Sequence, residues 1–589
     1  MKEVKSIWHN MMQILTRQQK ILGVVVFICA LLAAAFETIG VSVIIPLVNA
    51  LLDTPKLWQN RYVAVLTGFM HISSDNTLIL LIIVLTIIVY IIKNLYFIFY
   101  AWIRNKYSFK VQREISVAMM TSYMNRGYSY FLDHNFNELR QGVENDVQSL
   151  YYVLTDSIQI FSQIMTILMI SVFLCIVDWH LFIAVAVSAV ICLVLIVTVF
   201  RKRMHLSGQM LRKYFIKCSQ TILETFYGIK EVFVMRKQRF FVDKYNRYII
   251  SRNKASIIGT IGSEIPAYII EMICITGIMI ALGISIRDMD NRNSLVAVLA
   301  AFAMAAIRML PSLGKISSSI NQINSCIPGF NSVCENIIEA QKDNLLYFAT
   351  DAKDDEQYKD LCFNNSICLN DISFRYSDNT ALILDSLNLE IPKGESVAFV
   401  GESGAGKSTL ADVILGILKP QNGNVCVDGV DINKIPNKWS NLIGFVPQSI
   451  FLSDSSIREN VAFGVLEEDI DDALVKEALE KADLMDFVNT LEAGMYTEVG
   501  DRGIRMSGGQ RQRIGLARAM YHRPQILILD EATSALDNET ERAVMESIEM
   551  LHGKVTLIII AHRLSTIKNC DIIYEIKDGK AHQRKYDEL

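Results

Sequence analysis

The chain has little that would mark a secreted, metal-binding or nucleic-acid-binding protein. Its eleven cysteines show no paired metal-binding spacing, so we expect them to be reduced and buried as small hydrophobic side chains. The formal net charge of −4 gives no indication of nucleic-acid binding, and we predict none. The final Tyr586–Leu589 lacks the lysine of an endoplasmic-reticulum retention signal. We expect no cleavable signal peptide, because the first apolar run is too long and has no small-residue cleavage pattern.

Long apolar runs are what the chain has in excess. Hydrophobic residues make up 51% of it, and its mean hydropathy is +0.30. Each run is near or above the roughly 20 residues that a helix needs to cross a bilayer. Six such runs cannot be buried together in one small soluble domain, so we predict six membrane-spanning helices. The runs cover 21–52, 77–103, 151–177, 179–200, 256–286 and 294–327.

The distribution of lysine and arginine predicts the orientation of these spans. The segment 201–255 carries fourteen of them and 104–150 carries six, whereas 53–76 has only Lys56 and Arg61. Because basic loops stay on the cytoplasmic side, both termini are expected in the cytoplasm and the spans in the cytoplasmic membrane. Each basic segment is predicted to extend two long helices, joined by a short transverse helix near 128–134 and near 227–234.

A stripe of apolar side chains follows the first predicted span. Trp58, Tyr62, Val65, Leu66 and Phe69 recur at the spacing of one helix face. Tryptophan and tyrosine suit the boundary between water and lipid. A helix on the outer membrane face would be a docking place for a lipid tail, and an ordinary packed loop helix is the alternative.

Ionisable residues inside the predicted spans are costly and need a reason. Arg308 and Lys315 lie seven residues apart, on one helix face, and Lys93 lies in the second span. Together they could line a water-filled cavity for an anionic cargo such as a phosphate headgroup. The alternative is internal pairing of Lys93 or Arg308 with Glu37 or Glu271, which would cancel the basic lining.

A phosphate-binding loop is predicted in the second half of the chain. The apolar strand Val397–Val400 leads into the sequence GESGAGKS, and a helix is expected to begin near Lys407. Backbone N–H groups and the helix start can bind phosphate, Lys407 can reach the β- and γ-phosphates, and Ser408 can bind Mg²⁺. The predicted nucleotide-binding residues of this loop are Gly401, Glu402, Ser403, Gly404, Ala405, Gly406, Lys407, Ser408 and Thr409.

Two acidic residues end a second apolar strand, Ile526–Leu529. Asp530 suits a contact to Mg²⁺, and Glu531 suits a general base that polarises the attacking water. With the phosphate loop they predict the hydrolysis of ATP with Mg²⁺.

The segment Ser507-Gly508-Gly509-Gln510 is far rarer than a phosphate loop. Its glycines allow close approach to a phosphate, its serine offers a hydroxyl, and a helix start offers partial positive charge. A helical insertion at about 455–520 separates it from Lys407, so we expect it to act on the nucleotide of a second copy of the chain. The intact motifs favour a homodimer, with a partner of degenerate motifs as the alternative.

These motifs together resemble the ATP-binding-cassette (ABC) superfamily, in order and spacing, over 366–580. The resemblance implies that Tyr376 stacks on adenine, that Gln448 contacts Mg²⁺ and water, that Asp537 lies in the loop crossing the dimer interface, and that His562 contacts the γ-phosphate. Six spans followed by a cassette resemble an exporter-type half-transporter. The fold expected is an all-α transmembrane domain over 1–338, a linker over 339–365 and an α/β cassette over 366–589.

Two further segments resemble the PglK-type flippases of lipid-linked oligosaccharides. They are Glu37–Pro46 in the first span and Arg308–Ser312 with Lys315 in the sixth; Lys93, Arg308 and Lys315 match the basic positions of that group, and Ala267 departs from them. The resemblance implies a flippase for a polyprenyl-diphosphate-linked glycan, with membrane lipids around it. An exporter of drugs or lipid A-like lipids is the alternative, followed by a non-transporting channel or regulator.

Overall fold

The computed structural model describes residues 2–43, 46–47, 74–177, 179–285, 292–347, 358, 362–377, 381–500, 503–531, 538–561 and 567–588. It divides the chain into two compact units. The first, here the helical unit, consists of Met1–Arg126 and His134–Tyr347. The second, here the α/β unit, consists of Phe348–Leu589 together with Gly127–Asp133.

Six long helices make up most of the helical unit, as the apolar runs predict. They are α2 (Arg17–Ser42), α3 (Asp75–Asn125), α6 (Val147–Val177), α7 (Trp179–Tyr227), α9 (Gln238–Ser285) and α10 (Arg292–Lys342). Shorter elements flank them: α1 (Lys2–Ile14), α5 (Phe136–Gln141), a π-helical turn at Gly142–Asp146 and α8 (Ile229–Val234), whereas α4 (Tyr128–Asp133) belongs to the α/β unit. By length and composition alone, four segments of the described chain are long and apolar enough to cross a membrane: Arg17–Ser42, Asp75–Asn125, Phe136–Val172 and Gln238–Ile273.

The long helices extend far beyond their apolar runs, as the basic segments predict. Helix α3 has 51 residues and α7 has 49, more than twice the number that a bilayer requires. The six-residue helices α4 and α8 lie at the two predicted transverse positions. Helix α10 runs to Lys342, four residues into the predicted linker.

Packing within the helical unit joins both neighbouring helices and helices that are distant in sequence. Helix α7 packs on α9 and α6 packs on α10, while α2 contacts both α3 and α6. Their outward faces carry many exposed large apolar side chains, such as Leu80, Ile98 and Met272. Such a surface suits a lipid environment or a second copy of the chain.

Two sheets organise the α/β unit, each with its own strand order. The antiparallel sheet has the order β2 (Leu384–Pro392), β1 (Ser366–Phe374), β4 (Asn422–Val427), β5 (Val430–Asp431). The other sheet has the order β10 (Lys580–Arg584), β9 (Ile572–Lys577), β3 (Ser396–Val400), β8 (Thr556–Ile560), β7 (Ile526–Asp530), β6 (Ile443–Val446). In the second sheet only the β9–β10 pair is antiparallel.

Helices cover the two sheets and bury their apolar faces in two cores. The helices are α11 (Lys407–Ile414), α12 (Pro436–Leu442), α13 (Ile457–Val461), α14 (Asp472–Lys481), α15 (Met485–Thr490), α16 (Gly508–Met520) and α17 (Asn538–Glu549). The central strands β3 and β8 are buried at every residue, as expected of parallel strands covered on both faces. This buried sheet fixes the strand ends from which the phosphate loop and Asp530 emerge. The predicted order of an all-α region and an α/β region is confirmed.

Candidate functional site

The phosphate loop connects β3 to α11 through a backbone that only glycine adopts easily. Gly401 has φ +143° and Gly406 has φ +99°, both in the range that strains other residues. A Cβ on Gly401 would lie 2.4 Å from the carbonyl oxygen of Ile576. Helix α11 begins at Lys407, as predicted, and its first N–H groups are therefore available to an anion at the loop.

Lys407 is held by the loop that it follows. Its side chain is buried, and Nζ donates hydrogen bonds to the carbonyl oxygens of Gly401 at 2.8 Å and Glu402 at 3.0 Å. Burial lowers the pKa of Lys407, while the nearby carboxylates of Glu531 and Asp530 oppose that shift. An ammonium group in this position suits the phosphates of a nucleotide, which offer it stronger, charged acceptors.

The side-chain oxygens of Asp530 and Ser408 lie close together beside the phosphate loop. Asp530 is the last residue of β7, and Ser408 Oγ lies 3.5 Å from its Oδ1. A hydroxyl and a carboxylate are hard oxygen donors of the kind that Mg²⁺ takes together with substrate phosphates. The residues present therefore fit this ion.

Glu531 is positioned by an unusual backbone and by Gln448. Its φ is +48°, in the left-handed region that is costly for a residue with a side chain, and its amide donates to the Ile560 carbonyl oxygen at 3.1 Å. Gln448 Nε2 donates a hydrogen bond to Glu531 Oε2 at 2.6 Å. The structure thus brings together a carboxylate and an amide that the sequence places 83 residues apart.

Tyr376 lies just past the end of β1 and is 44% exposed. Its hydroxyl is 3.1 Å from Thr409 Oγ1, which lies in the first turn of α11. Phe374 packs edge-on against the ring at 5.1 Å between centroids. The ring is thereby fixed next to the phosphate loop with one surface open, which suits stacking on a base.

The Ser507–Gln510 segment begins helix α16 with a capping box. Gln510 N donates to Ser507 Oγ at 3.2 Å, and Ser507 N donates to Gln510 Oε1 at 2.8 Å. Met506 is buried before the cap, and Arg511 Nη1 donates to its carbonyl oxygen at 2.9 Å. Gly508 is exposed and Gly509 is buried. The Ser507 hydroxyl only accepts in this cap, so its proton is still available to an incoming phosphate.

Asp537 and His562, both predicted site residues, lie outside the described residues. Asp412, on α11, is a titratable residue near the site that none of the predicted motifs includes. Burial raises its pKa to about 6, and the charge of Asp530 adds to the shift. In the sequence, its position five residues after Lys407 was the only indication that it lies near the site.

The membrane lysine Lys93 is paired. Its Nζ lies 2.9 Å from Glu37 Oε2, and its side chain is 3% exposed. The chain of Lys93 lies along Gly40, where an added Cβ would be 3.2 Å from Nζ. Lys93 is therefore paired internally, because Glu37 neutralises its charge. This pairing was the alternative to a basic lining.

Breaking this pair on one side is expected to destabilise the helical unit. Glu37→Leu leaves the Lys93 ammonium buried without its carboxylate, which costs about 3–5 kcal/mol. The double variant Glu37→Leu/Lys93→Met removes both charges and is expected to unfold close to the wild type. Thermal unfolding of the detergent-solubilised chain measures both.

The exposed pair Arg239–Asp243 is the control, with side chains 95% and 61% exposed. Asp243→Leu is expected to cost less than about 1 kcal/mol. A Glu37→Leu variant as stable as this control would show that the Lys93–Glu37 pair carries no structural role.

The other predicted cargo residues differ in what the structure describes of them. Lys315 in α10 is exposed and, among the described side chains, forms no ion pair. Arg308 lies in the same helix, but its side chain is outside the description. Trp58 and Tyr62 lie outside the described residues. Of the three predicted basic residues, only Lys93 and Lys315 have described side chains, and Lys93 is the one paired with a carboxylate.

Comparison with known proteins matches both the helical unit and the α/β unit to known protein families. The model of the ABC transporter transmembrane region matches residues 21–310, and the ABC transporter model matches residues 384–534. The heterocyst differentiation ATP-binding protein HepA of Nostoc sp. is 31% identical over 465 residues, covering 78% of this chain and 74% of HepA. The chain belongs to the ABC transporter family.

Two further similarities are to a solved exporter structure and to a lipid A-core flippase. The structure of a bacterial Atm1-family ABC exporter with ATP bound matches with a TM-score of 0.73 and 21% identity, covering 96% of this chain and 95% of that one. The predicted type I exporter fold is thereby confirmed. An ATP-dependent lipid A-core flippase of Cupriavidus pinatubonensis is 43% identical over 221 residues, covering 37% of this chain and 38% of the flippase.

The two family matches show an ATP-hydrolysing ABC transporter with a transmembrane region. The phosphate loop, Lys407, Asp530 and Glu531 belong to its cassette. The family assignment leaves the cargo open.

Proposed function

We propose that the chain forms a homodimer in the cytoplasmic membrane and uses ATP to translocate an amphipathic lipid with an anionic headgroup. A polyprenyl-diphosphate-linked oligosaccharide is the cargo that the PglK-like segments favour. Both termini and the cassette would then face the cytoplasm. The observation that carries the cargo class is Lys315, a cation on a membrane helix that is exposed and has no ion-pair partner among the described residues.

In the proposed site, each residue acts through the contacts described above. Tyr376 stacks on the base, and Lys407 and the N–H groups of 403–408 bind the phosphates. Ser408, Asp530 and Gln448 would hold Mg²⁺, which neutralises developing phosphate charge. Glu531 accepts the proton of the attacking water, with Gln448 orienting its carboxylate. Asp537 and His562 are proposed at the dimer interface and at the γ-phosphate.

The second phosphate-contacting segment is proposed to come from the other copy of the chain. Ser507 and Gly508 are exposed at a capped helix start, with Gly509 buried behind them, and a helix N-terminus favours anions. Closing two copies around ATP would present this helix start to the phosphates bound at Lys407. Two identical sites would result.

The proposed cargo contact is one lysine from each copy rather than a ring of several basic residues. Lys93 is paired with Glu37, and Ala267 packs on Gly314, next to Lys315. Of the predicted basic residues with described side chains, Lys315 of each copy is the one left to bind a phosphate or diphosphate group. The lipid A-core flippase relative supports a lipid cargo more generally, although the match covers only 37% of this chain.

The second candidate is export of an amphipathic drug or a lipid A-like lipid. The exposed stripe of Glu264, Tyr268 and Glu271 on α9 favours a cationic amphiphile at least as well as an anionic one. Both candidates use the same ATP-hydrolysing cassette, so only transport measurements separate them.

Reconstituted proteoliposomes test the proposal. Three labelled compounds are compared: a polyprenyl-diphosphate oligosaccharide, a lipid A analogue and a cationic amphipathic dye. We expect ATP-dependent flipping of the first, lowered about tenfold by Lys315→Ala, since one charged hydrogen bond contributes about 1.5–3 kcal/mol. Lys342→Ala, at the end of the same helix, is the control and is expected to flip as the wild type does.

The three compounds separate the candidate cargoes. Flipping of the lipid A analogue alone keeps the anionic class and removes the oligosaccharide. Transport of the dye alone, or flipping that Lys315→Ala leaves undiminished, contradicts the anionic-lipid proposal.

A further inference from the structure

Two cysteines face each other across neighbouring strands of the antiparallel sheet. Cys368 in β1 and Cys426 in β4 are register partners. Directly opposed residues of antiparallel strands place their side chains on the same face of the sheet. The two thiols are therefore neighbours, although residues 369–425 separate them in the chain.

The strand register gives their spacing. The amide of Asp428 donates to the carbonyl oxygen of Ser366 at 3.0 Å, which makes these two a hydrogen-bonded pair. Hydrogen-bonded and non-hydrogen-bonded pairs alternate along such a ladder, so Cys368 and Cys426, two positions on, are again hydrogen-bonded. Such pairs have Cα atoms about 5.5 Å apart. A disulfide spans roughly 4.4–6.8 Å between Cα atoms and about 3.5–4.5 Å between Cβ atoms. Opposed Cβ atoms in such a ladder lie about 4.5–5.5 Å apart, so closing the bond draws the two side chains together.

The two thiols differ in access to solvent. Cys368 is partly exposed, whereas Cys426 is buried, and both are free thiols. Burial, followed by the charge of Asp431, raises the pKa of Cys426. A dissolved oxidant would therefore meet Cys368 first, and Cys426 would react second.

We propose that Cys368 and Cys426 form a redox-modification site that a low-molecular-weight disulfide, such as glutathione disulfide, converts to an intrachain disulfide. The Cys368 thiolate attacks one sulfur of the small disulfide, which forms a mixed disulfide and releases one thiolate. The Cys426 thiol loses its proton to solvent and attacks Cys368 Sγ, which expels the second small thiolate. Two protein thiols are oxidised, and one small disulfide is reduced to two thiols.

The position of this pair links it to the nucleotide site. The segment 369–425 that the bond would close contains the whole phosphate loop and Lys407. Strand β1 also leads directly to Tyr376. Oxidation would therefore link β1 to β4 covalently. The phosphate loop and Lys407 lie in the chain between these two strands, and the link does not depend on the identity of the cargo.

Peptide mapping of the full-length chain tests the proposal. The chain is purified in detergent under reducing conditions, incubated with glutathione disulfide, alkylated and digested without reduction. We expect the peptide of Cys368 to be linked to the peptide of Cys426, and dithiothreitol to reverse the link. In Cys426→Ser, Cys368 is expected to keep glutathione as a mixed disulfide, because no second thiol displaces it.

The exposed Cys362 is an internal control for reagent access. Wild-type protein in which Cys368 keeps glutathione without the link to Cys426 overturns the proposal. So does wild-type protein in which Cys362 is modified while Cys368 and Cys426 are both recovered alkylated.

Discussion

Glu531→Gln in the full-length chain is expected to bind ATP and to hydrolyse it at least about 100 times more slowly than the wild type. General-base catalysis contributes roughly 10²–10⁴-fold to such reactions, and an amide cannot take the proton of the attacking water. The side-chain volume is unchanged, and the amide oxygen can still accept the hydrogen bond from Gln448. Phosphate release at saturating ATP measures turnover, and binding of a labelled nucleotide measures occupancy.

The control for this substitution is Glu492→Gln, a carboxylate on an exposed turn of the same unit. It is expected to keep wild-type turnover. Wild-type turnover in Glu531→Gln would remove Glu531 from the catalytic assignment. Loss of nucleotide binding there would indicate a structural role of its strained backbone instead.

Gly508→Asp is expected to abolish ATP hydrolysis while leaving the cassette folded. Gly508 is exposed in the first turn of α16, where an aspartate favours the helix dipole by about 0.3–1 kcal/mol. The same carboxylate would stand where a phosphate of ATP is proposed to approach, and like charges repel. Stability and activity are thus expected to change in opposite directions. Thermal unfolding and phosphate release measure the two effects.

Asn437→Asp adds the same charge to the first turn of α12 and serves as the control. It is expected to hydrolyse ATP as the wild type does. Hydrolysis by Gly508→Asp at the wild-type rate would exclude this helix start from the nucleotide site.

The cassette could be predicted from sequence because its motifs are tied to strand and helix ends. The run Val397–Val400 lies in strand β3, and α11 begins at Lys407 as predicted. A glycine-rich turn between a buried strand and a helix has few solutions, so local sequence suffices. The hydrogen bond between Gln448 and Glu531 was not predicted, because the resemblance gave Gln448 only contacts to Mg²⁺ and water, and the two residues follow different strands, β6 and β7.

The contact partners of ionisable residues in the predicted spans were harder to predict. The sequence pattern of one helix does not show which other helix its side chains contact. Lys93 fitted a basic lining and an internal pair equally well, and only the packing of α3 against α2 puts Glu37 within 2.9 Å. The Cys368–Cys426 neighbourhood also depends on strand register, which no local pattern of these residues shows. Apolar length and loop charge specify helices, whereas partners depend on three-dimensional packing.

Each ATP is proposed to be held by Lys407 of one copy and the Ser507–Gln510 segment of the other. This arrangement is tested with dimers of two differently tagged chains, purified on both tags. One dimer carries Lys407→Ala in one chain and Gly508→Asp in the other. The second dimer carries both substitutions in one chain and none in its partner.

If the sites are shared, separating the substitutions leaves one intact pair of Lys407 and Gly508, whereas combining them spoils both sites. We therefore expect measurable ATP hydrolysis from the first dimer and none from the second. The reverse result, hydrolysis only when one chain is fully wild type, would show that each chain closes on its own nucleotide and would contradict the account.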